Sequence, residues 1–346
     1  MAKRLVVCCD GTWNTLKQAA PTNVVHINNA VAPAGGGLAQ LVHYSEGVGN
    51  RPWERITGGA FGFGLSRNVR DCYRFLVENF EPGDELFLFG FSRGAYTARS
   101  TAGLIRNSGI LLRANAAMIG DAYRLYRDRD PKTGPDSPAA REFRASFAHE
   151  DVTPIRFIGV WDTVGSLGIP LSGGRLVNLI NRRWQFHDTQ LSSTVRSAFH
   201  ALAIDERRSS FEPAVWNPSP AATGQQREQV WFAGVHSDVG GGYPDRALAD
   251  IALLWMVDRA QSCGLAFRPG AFAGLPPRNV SGQLHDSSNG LFRLIGTSSR
   301  AIGRKDAPSE YASSTAVDRR THGAPPYEAG NLVTYLSDPK HQIMAL

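Results

Sequence analysis

The stretch Gly90-Phe91-Ser92-Arg93-Gly94 spells G-x-S-x-G, a pattern that sets a serine hydroxyl on a sharp turn between a strand and a helix. The bare pattern is weak, because glycine and serine are common. Its setting is informative: the apolar run ELFLFGF leads directly into Ser92, and the helix-forming segment RGAYTARSTAGLI leads directly out. Such a turn strains the serine backbone, so the positions two residues to either side must be small. Gly90 and Gly94 meet that need. A hydroxyl raised above a sheet edge, over a helix N-terminus that favours developing negative charge, is a candidate nucleophile.

A serine needs a base to take its proton and an acid to orient that base. In chains built this way the order is serine, acid, histidine. Asp162 in GVWDTVG follows an apolar strand and suits the acid, an Asx-turn being its structural alternative. Of nine histidines, His236 follows the run QVWFAGV and opens the turn HSDVGGGY, the loop position a base requires. His285 and His322 are the alternatives for the base, and Asp238 is the rival acid. His26 and His43 precede the serine, His149 and His187 lie in polar connections, and His200 reads as a helix residue. The pair His236 and Asp238 would also suit a metal, but no further His or Cys stands at ligand spacing, so neither metal nor cofactor is expected. The oxyanion of an acyl-transfer intermediate needs two donors. One is expected from the Arg93 N–H. The other should come from the loop Asp10-Gly11-Thr12-Trp13-Asn14, where Gly11 permits close approach and Thr12 follows it. An aspartyl nucleophile at Asp10 is the competing reading, but it wants a second acid at the position of Thr12.

The elements that must hold these residues alternate as short apolar runs and longer amphipathic segments, the pattern of a βα-layered, mostly parallel sheet. Strands are expected at 4–9, 40–45, 85–90, 155–161 and 229–235, and helices near 22–32, 65–80, 94–107, 115–127, 196–203 and 246–262. Residues 128–150 and 217–228 read as polar connections. Residues 1–264 are expected to form an α/β-hydrolase catalytic domain with a cap or lid at 165–195. Residues 265–346 then form a C-terminal extension packed on the same domain. In the lid, Arg175, Arg182 and Arg183 beside Leu176, Val177, Leu179, Ile180 and Trp184 are candidates for peripheral membrane contact.

With 346 residues, 42% of them hydrophobic, the chain can bury a large core. The net charge of +6 would suit anionic membranes, nucleic acid or acidic substrates. Arginine is dispersed, however, and no helix-turn-helix or zinc finger supports nucleic acid, which is not expected as a partner. The four cysteines, Cys8, Cys9, Cys72 and Cys263, form no CxxC and read as reduced buried thiols. The N-terminal apolar run is too short for a signal peptide and no run is long enough for a membrane span. The expectation is a cytoplasmic protein, or one exported without a cleavable signal.

The blocks CDGTWN, GFGLSRNVRDCYRFL, GDELFLFGFSRGAYTAR, GVWDTVGSLG, ALAIDERRSSFEP and FAGVHSDVGGGY occur in this order between about residues 4 and 244. Together they resemble the DUF2235 family, whose best understood members are the type VI secretion phospholipase effectors of the Tle1 group. The resemblance implies an α/β-hydrolase domain, a Ser–Asp–His triad carried by Ser92, Asp162 and His236, and phospholipase A activity. Against the large effectors the chain is expected to be compact, without a long C-terminal membrane-anchoring region. The expected function is a serine ester hydrolase acting on lipid esters, phospholipase A-like. A carboxylesterase or thioesterase on a non-phospholipid substrate and a noncatalytic partner module of the same fold are the alternatives.

Overall fold

A computed structural model describes residues 1–49, 58–164, 190–217, 223–275, 279–287, 297–303, 308–323 and 326–346. The expected lid, with its basic and apolar residues, falls largely outside them, as does His187.

One sheet organises the described residues, in the order β2-β3-β1-β4-β5-β6-β7-β8-β9. Its strands are β1 (Lys3–Cys9), β2 (Ala34–Gly35), β3 (Leu38–Ser45), β4 (Glu85–Phe91), β5 (Ile155–Trp161), β6 (Val195–Ala203), β7 (Gln226–Phe232), β8 (Glu310–Ser313) and β9 (Gln342–Met344). Only the short β2–β3 pair is antiparallel; the remaining pairs are parallel. The helices are α1 (Asn23–Ala30), α2 (Gly58–Asn79), α3 (Arg93–Ser108), α4 (Ile119–Arg127), α5 (Pro138–Phe147), α6 (His236–Gly240), α7 (Ala247–Ser262), α8 (Ser314–His322) and α9 (Gly330–Leu336). This is an α/β-hydrolase-type architecture.

A strand's side chains alternate between faces, so the unbroken apolar run LVVCC feeds two cores at once. Leu5, Val7 and Cys9 pack with residues of α2, α3 and α4, while Val6 and Cys8 pack with residues of α1 and α7. The same division splits β4 into Leu86 and Leu88 on one side and Phe87, Phe89 and Phe91 on the other. Across the second face the rings of Phe89, Phe157, Phe199 and Trp255 succeed one another at 4.9, 5.3 and 6.1 Å, which ties four elements into one aromatic row.

Three expectations are corrected. Residues 196–203 are strand β6, not a helix, and His200 points from that strand into the core. Alanine favours a helix in isolation, but here β6 is paired with β5 and β7 on its two edges, and Ala198 on one face and Ala201 and Ala203 on the other are buried, so tertiary context overrides propensity. Residues 128–150 are not only a polar connection, because Ser137 caps α5 and Pro138 opens it. The strand expected at 229–235 runs earlier, as β7. Beyond residue 264, β8 and β9 extend the same sheet past β7. No helix among the described residues is long and apolar enough to cross a membrane.

Candidate active site

Parallel register makes β4 and β5 end together, with Phe91 opposite Trp161, so Ser92 and Asp162 emerge side by side at the C-terminal sheet edge. The Ser92 N–H donates to the Trp161 carbonyl at 3.0 Å, and the Asp162 N–H to the Ala201 carbonyl at 2.7 Å. Ser92 has φ 56° and ψ −120°, a conformation that costs a non-glycine residue about 1–3 kcal/mol and is held only by surrounding structure. That structure includes the two glycines. A Cβ on Gly90 would stand 2.5 Å from the Gly94 carbonyl oxygen, and one on Gly94 would fall against the carbonyl oxygens of Cys9 and Asp10. Asp162 is also at positive φ, 39°.

His236 opens the short helix α6 after β7. Its Nε2 lies 2.8 Å from Ser92 Oγ and its Nδ1 lies 2.5 Å from Asp162 Oδ2. All three side chains are buried. Phe91 and Phe211 pack their rings on the imidazole, with centroids 4.6 and 4.9 Å away, and so limit its rotation. Burial lowers the pKa of His236, while the bond and charge of Asp162 pull the other way without overcoming it.

Asp162 has a further partner with no signal in the sequence. Arg300, from a stretch without periodicity, donates to Asp162 Oδ1 at 2.6 Å and to Oδ2 at 3.0 Å, and the Ala203 N–H also reaches Oδ1, at 3.1 Å. Burial alone would raise the Asp162 carboxyl, but the charge of Arg300 and the bond to His236 hold it well below the usual carboxylate range. The Arg300 guanidinium also donates to the Ala203 carbonyl at 2.8 Å and to the Phe211 carbonyl at 2.5 Å. Asn331 on α9 ties the Arg300 carbonyl to that of Ile204, so the tail holds the guanidinium against the Asp162 carboxylate.

The alternatives are placed elsewhere. Asp238 Oδ2 accepts from the Val235 N–H, bracing the turn that carries His236, and its Oδ1 pairs with His285 Nδ1 at 2.6 Å. His285 in turn stacks on Tyr243 with ring centroids 3.9 Å apart. His322 ends α8 and is exposed. Glu206, unnoticed in the sequence, accepts from the His236 N–H at 3.3 Å and is clasped by Arg208 at 2.8 and 2.9 Å.

The loop after β1 lies against the elbow: a Cβ on Gly11 would be 3.2 Å from Ser92 Cβ. Asp10 organises that loop rather than facing it as an attacking group. Its carboxylate accepts from the Gly11 N–H at 2.7 Å, Thr22 Oγ1 at 2.8 Å and the Tyr44 hydroxyl at 2.7 Å. Burial pushes Asp10 up to about 6 against those bonds. The Gly11 N–H is therefore engaged within the loop expected to supply the second oxyanion donor. The Arg93 N–H is in the first turn of α3, where no intrahelical carbonyl reaches it.

The arrangement can remove a proton from Ser92 through a neutral imidazole, with the Asp162 carboxylate offsetting the positive charge that results. A family model for the catalytic domain of Tle1-like phospholipase effectors of the type VI secretion system matches residues 3–259. An uncharacterised protein of Saccharomyces cerevisiae, YEL023C, is 29% identical over 238 residues, covering 63% of this chain and 33% of the yeast protein. The chain thus spans about a third of that relative's length. Among solved structures, the Tle1 effector bound to the VgrG spike superposes with a TM-score of 0.53 at 16% identity, over 85% of this chain and 78% of that one. An uncharacterised protein of Pseudomonas aeruginosa aligns over 80% of this chain and 48% of its own, at 17% identity and a TM-score of 0.45. The family match covers well over half of the sequence: the chain belongs to the Tle1-like catalytic-domain family of type VI secretion phospholipase effectors.

Proposed function

We propose that this chain is a serine ester hydrolase acting on lipid esters in the manner of a phospholipase A, with Ser92 as nucleophile, His236 as base and Asp162 as the acid that orients it. The observation that carries the reading is the continuous relay from Ser92 Oγ through His236 to Asp162, at 2.8 and 2.5 Å, beginning at a strained elbow. Membership of a phospholipase effector family supports the lipid ester as substrate.

In the first half-reaction Ser92 Oγ bonds to the ester carbonyl carbon while its proton passes to His236 Nε2, and the carbonyl π electrons move onto the oxygen. The Arg93 N–H and the Thr12 N–H receive that oxyanion. Collapse breaks the carbon–alkoxide bond, and the imidazolium returns its proton to the leaving alcohol. Water repeats the sequence on the acyl-enzyme, releasing the acid and restoring Ser92. Asp162 remains ionised throughout, fixing the Nδ1–H tautomer and stabilising the imidazolium. Arg300 keeps that carboxylate charged in a buried place.

The test combines a fluorophosphonate probe with a panel of phosphatidylcholine, phosphatidylglycerol, triglyceride and short p-nitrophenyl esters, on the wild type and Ser92→Ala. The reading expects labelling at Ser92, release of fatty acid from a glycerophospholipid, and loss of both in the variant. Absence of labelling in a folded protein would sink it, and turnover confined to short soluble esters would replace the lipid substrate with a simpler ester.

A further inference from the structure

The polar groups of the loop after β1 can be followed one by one, and one residue is left over. The Gly11 N–H is bound to Asp10 Oδ1 at 2.7 Å, the Trp13 N–H to the Val48 carbonyl at 3.1 Å, and the Asn14 N–H to the Gly11 carbonyl at 3.0 Å. Among the described residues, no partner engages the Thr12 N–H, and none engages the Thr12 Oγ1 although that atom is shielded from solvent. Burying a hydroxyl without a partner is costly, and valine would fill the same space without that cost.

The surroundings of Thr12 say where that hydroxyl can act. Its Cγ2 faces Gly49, whose Cβ would stand 3.4 Å from it, so the tetrahedral Cβ turns Oγ1 away from that neighbour. On one side Thr12 follows Gly11, which abuts the Ser92 side chain. On the other it precedes Trp13, whose ring lies 6.0 Å beneath the guanidinium of Arg93. Thr12 is thus the link of a loop that touches the nucleophile at one end and the residue after the nucleophile at the other. Trp13 holds φ 63°, a strained value for a large side chain, so the loop keeps this path at some expense.

We propose that the Thr12 hydroxyl is a third oxyanion donor, acting beside the N–H groups of Thr12 and Arg93 on the ester carbonyl oxygen. The proposal rests on Ser92 being the nucleophile. A tetrahedral oxyanion has three lone pairs where the ground-state carbonyl has two, so a third donor finds its full partner only as the carbon becomes tetrahedral. The hydroxyl keeps its proton and donates a hydrogen bond. Its effect therefore falls on kcat rather than KM.

The experiment compares Thr12→Val and Thr12→Ser with the wild type and with Ser92→Ala, using p-nitrophenyl butyrate and the rate of fluorophosphonate labelling. Thr12→Val keeps the shape and removes the donor; its kcat should fall about 10- to 100-fold with KM within about twofold, and labelling should slow in parallel. Thr12→Ser restores the donor and should stay within about threefold of wild-type kcat. If Thr12→Val does not fold, Thr12→Ala is measured against Thr12→Ser in its place. A Thr12→Val enzyme with wild-type kcat overturns the proposal while leaving the nucleophile untouched. So does a Thr12→Ser enzyme as impaired as Thr12→Val, which would assign the loss to loop shape. Turnover by Ser92→Ala removes the nucleophile, and the proposal falls with it.

Discussion

His236 Nε2 sits 2.8 Å from Ser92 Oγ although 144 positions separate the two residues in the chain. Ser92 follows β4 and His236 follows β7, and two strands lie between them. Three strand spacings amount to about 14 Å, so the chain after β7 must run back across the sheet edge before His236 can reach the serine. Residues 233–235 make that return, pinned as the Ile204 N–H donates to the Phe232 carbonyl and the Asp205 N–H to that of Gly234. Gly234, at φ 118°, provides the turn, and the Asp205 carboxylate accepts its N–H at 2.7 Å. The relay is therefore a property of the edge, and each of its supports can be tested.

The strain at Ser92 separates activity from stability. Ser92→Ala should lower ester turnover by roughly 10⁴-fold or more while the protein stays folded, because triad members act as a unit. Ser92→Gly should be as inactive and yet more stable than Ser92→Ala, by about 1 kcal/mol, since φ 56° with ψ −120° suits glycine and alanine keeps the Cβ. Urea midpoints of the two variants decide it. Equal midpoints would mean that the elbow is not strained.

The pH profile should carry the mark of burial. With the pKa of His236 lowered chiefly by desolvation, kcat/KM should rise with pH through a limb centred below the ordinary histidine value near 6.5, and level off by neutrality. Arg300→Met removes the cation that compensates Asp162. The uncompensated carboxylate then favours the imidazolium, so the limb should move to higher pH. Stripping a buried carboxylate of its guanidinium should also cost about 3–5 kcal/mol of stability at pH 7. The sign of the pH dependence follows from the direction of the shift. A carboxyl held below its unfolded value stabilises the folded state above that value and loses the contribution as pH falls. The stability gap between wild type and Arg300→Met should accordingly narrow as pH drops through the unfolded-chain range near 3.9. A limb at pH 7 or above in the wild type would contradict the burial of His236.

What could be read from the sequence is local, and what escaped is not. The elbow is legible because strand, turn, two glycines and helix are contiguous. Asp162 and His236 are each legible as positions after apolar strands, and that placement favours His236 over His285; the path by which His236 reaches Ser92, through residues 233–235, carries no such signal. Arg300 carries no signal, because its role depends on a partner 138 positions away. Strand β6 is hidden by alanine, whose helical preference counts for little in a strand paired on both edges and buried on both faces. Helix α5 did announce itself, by Ser137 as cap and Pro138 as first residue, within a stretch whose polar composition pointed to a connection. The loop Asp10–Asn14 shows the limit of counting donors by position: Gly11 lies against Ser92, yet its N–H is used by its own neighbour.

Asp238 and His285 lie close to the relay without joining it, and this too has a measurable consequence. Asp238→Ala removes the acceptor for the Val235 N–H and the partner of His285 Nδ1, so it should cost about 1–2 kcal/mol, the usual loss for a helix N-terminal acceptor. Its kcat should fall less than tenfold, whereas His236→Ala should lose turnover as fully as Ser92→Ala. His285→Ala should be milder than either in activity. If Asp238→Ala instead matched Asp162→Ala in kcat, the acid would belong to the turn after β7.

Gly94 is the position where one added carbon should do the most damage. A Cβ there would overlap the carbonyl oxygen of Cys9 and lie 2.5 Å from that of Asp10, both backbone atoms at the end of the interior strand β1. Neither can rotate aside as a side chain tip would. Either α3 lifts from β1, carrying the Arg93 N–H away from the elbow, or β1 shifts and drags the Asp10–Asn14 loop with it. Gly94→Ala should therefore destabilise by about 3 kcal/mol or more and also reduce kcat in whatever fraction folds. Gly120 is the matched control. It stands in the first turn of α4 with nothing within 4 Å of its would-be Cβ, so Gly120→Ala should be neutral or stabilising by at most about 0.5 kcal/mol. Denaturant melts of the two variants, with kcat on p-nitrophenyl butyrate, test the pair. A Gly94→Ala protein as stable as Gly120→Ala would show that β1 and α3 are not in the close contact that holds the loop after β1 against the elbow.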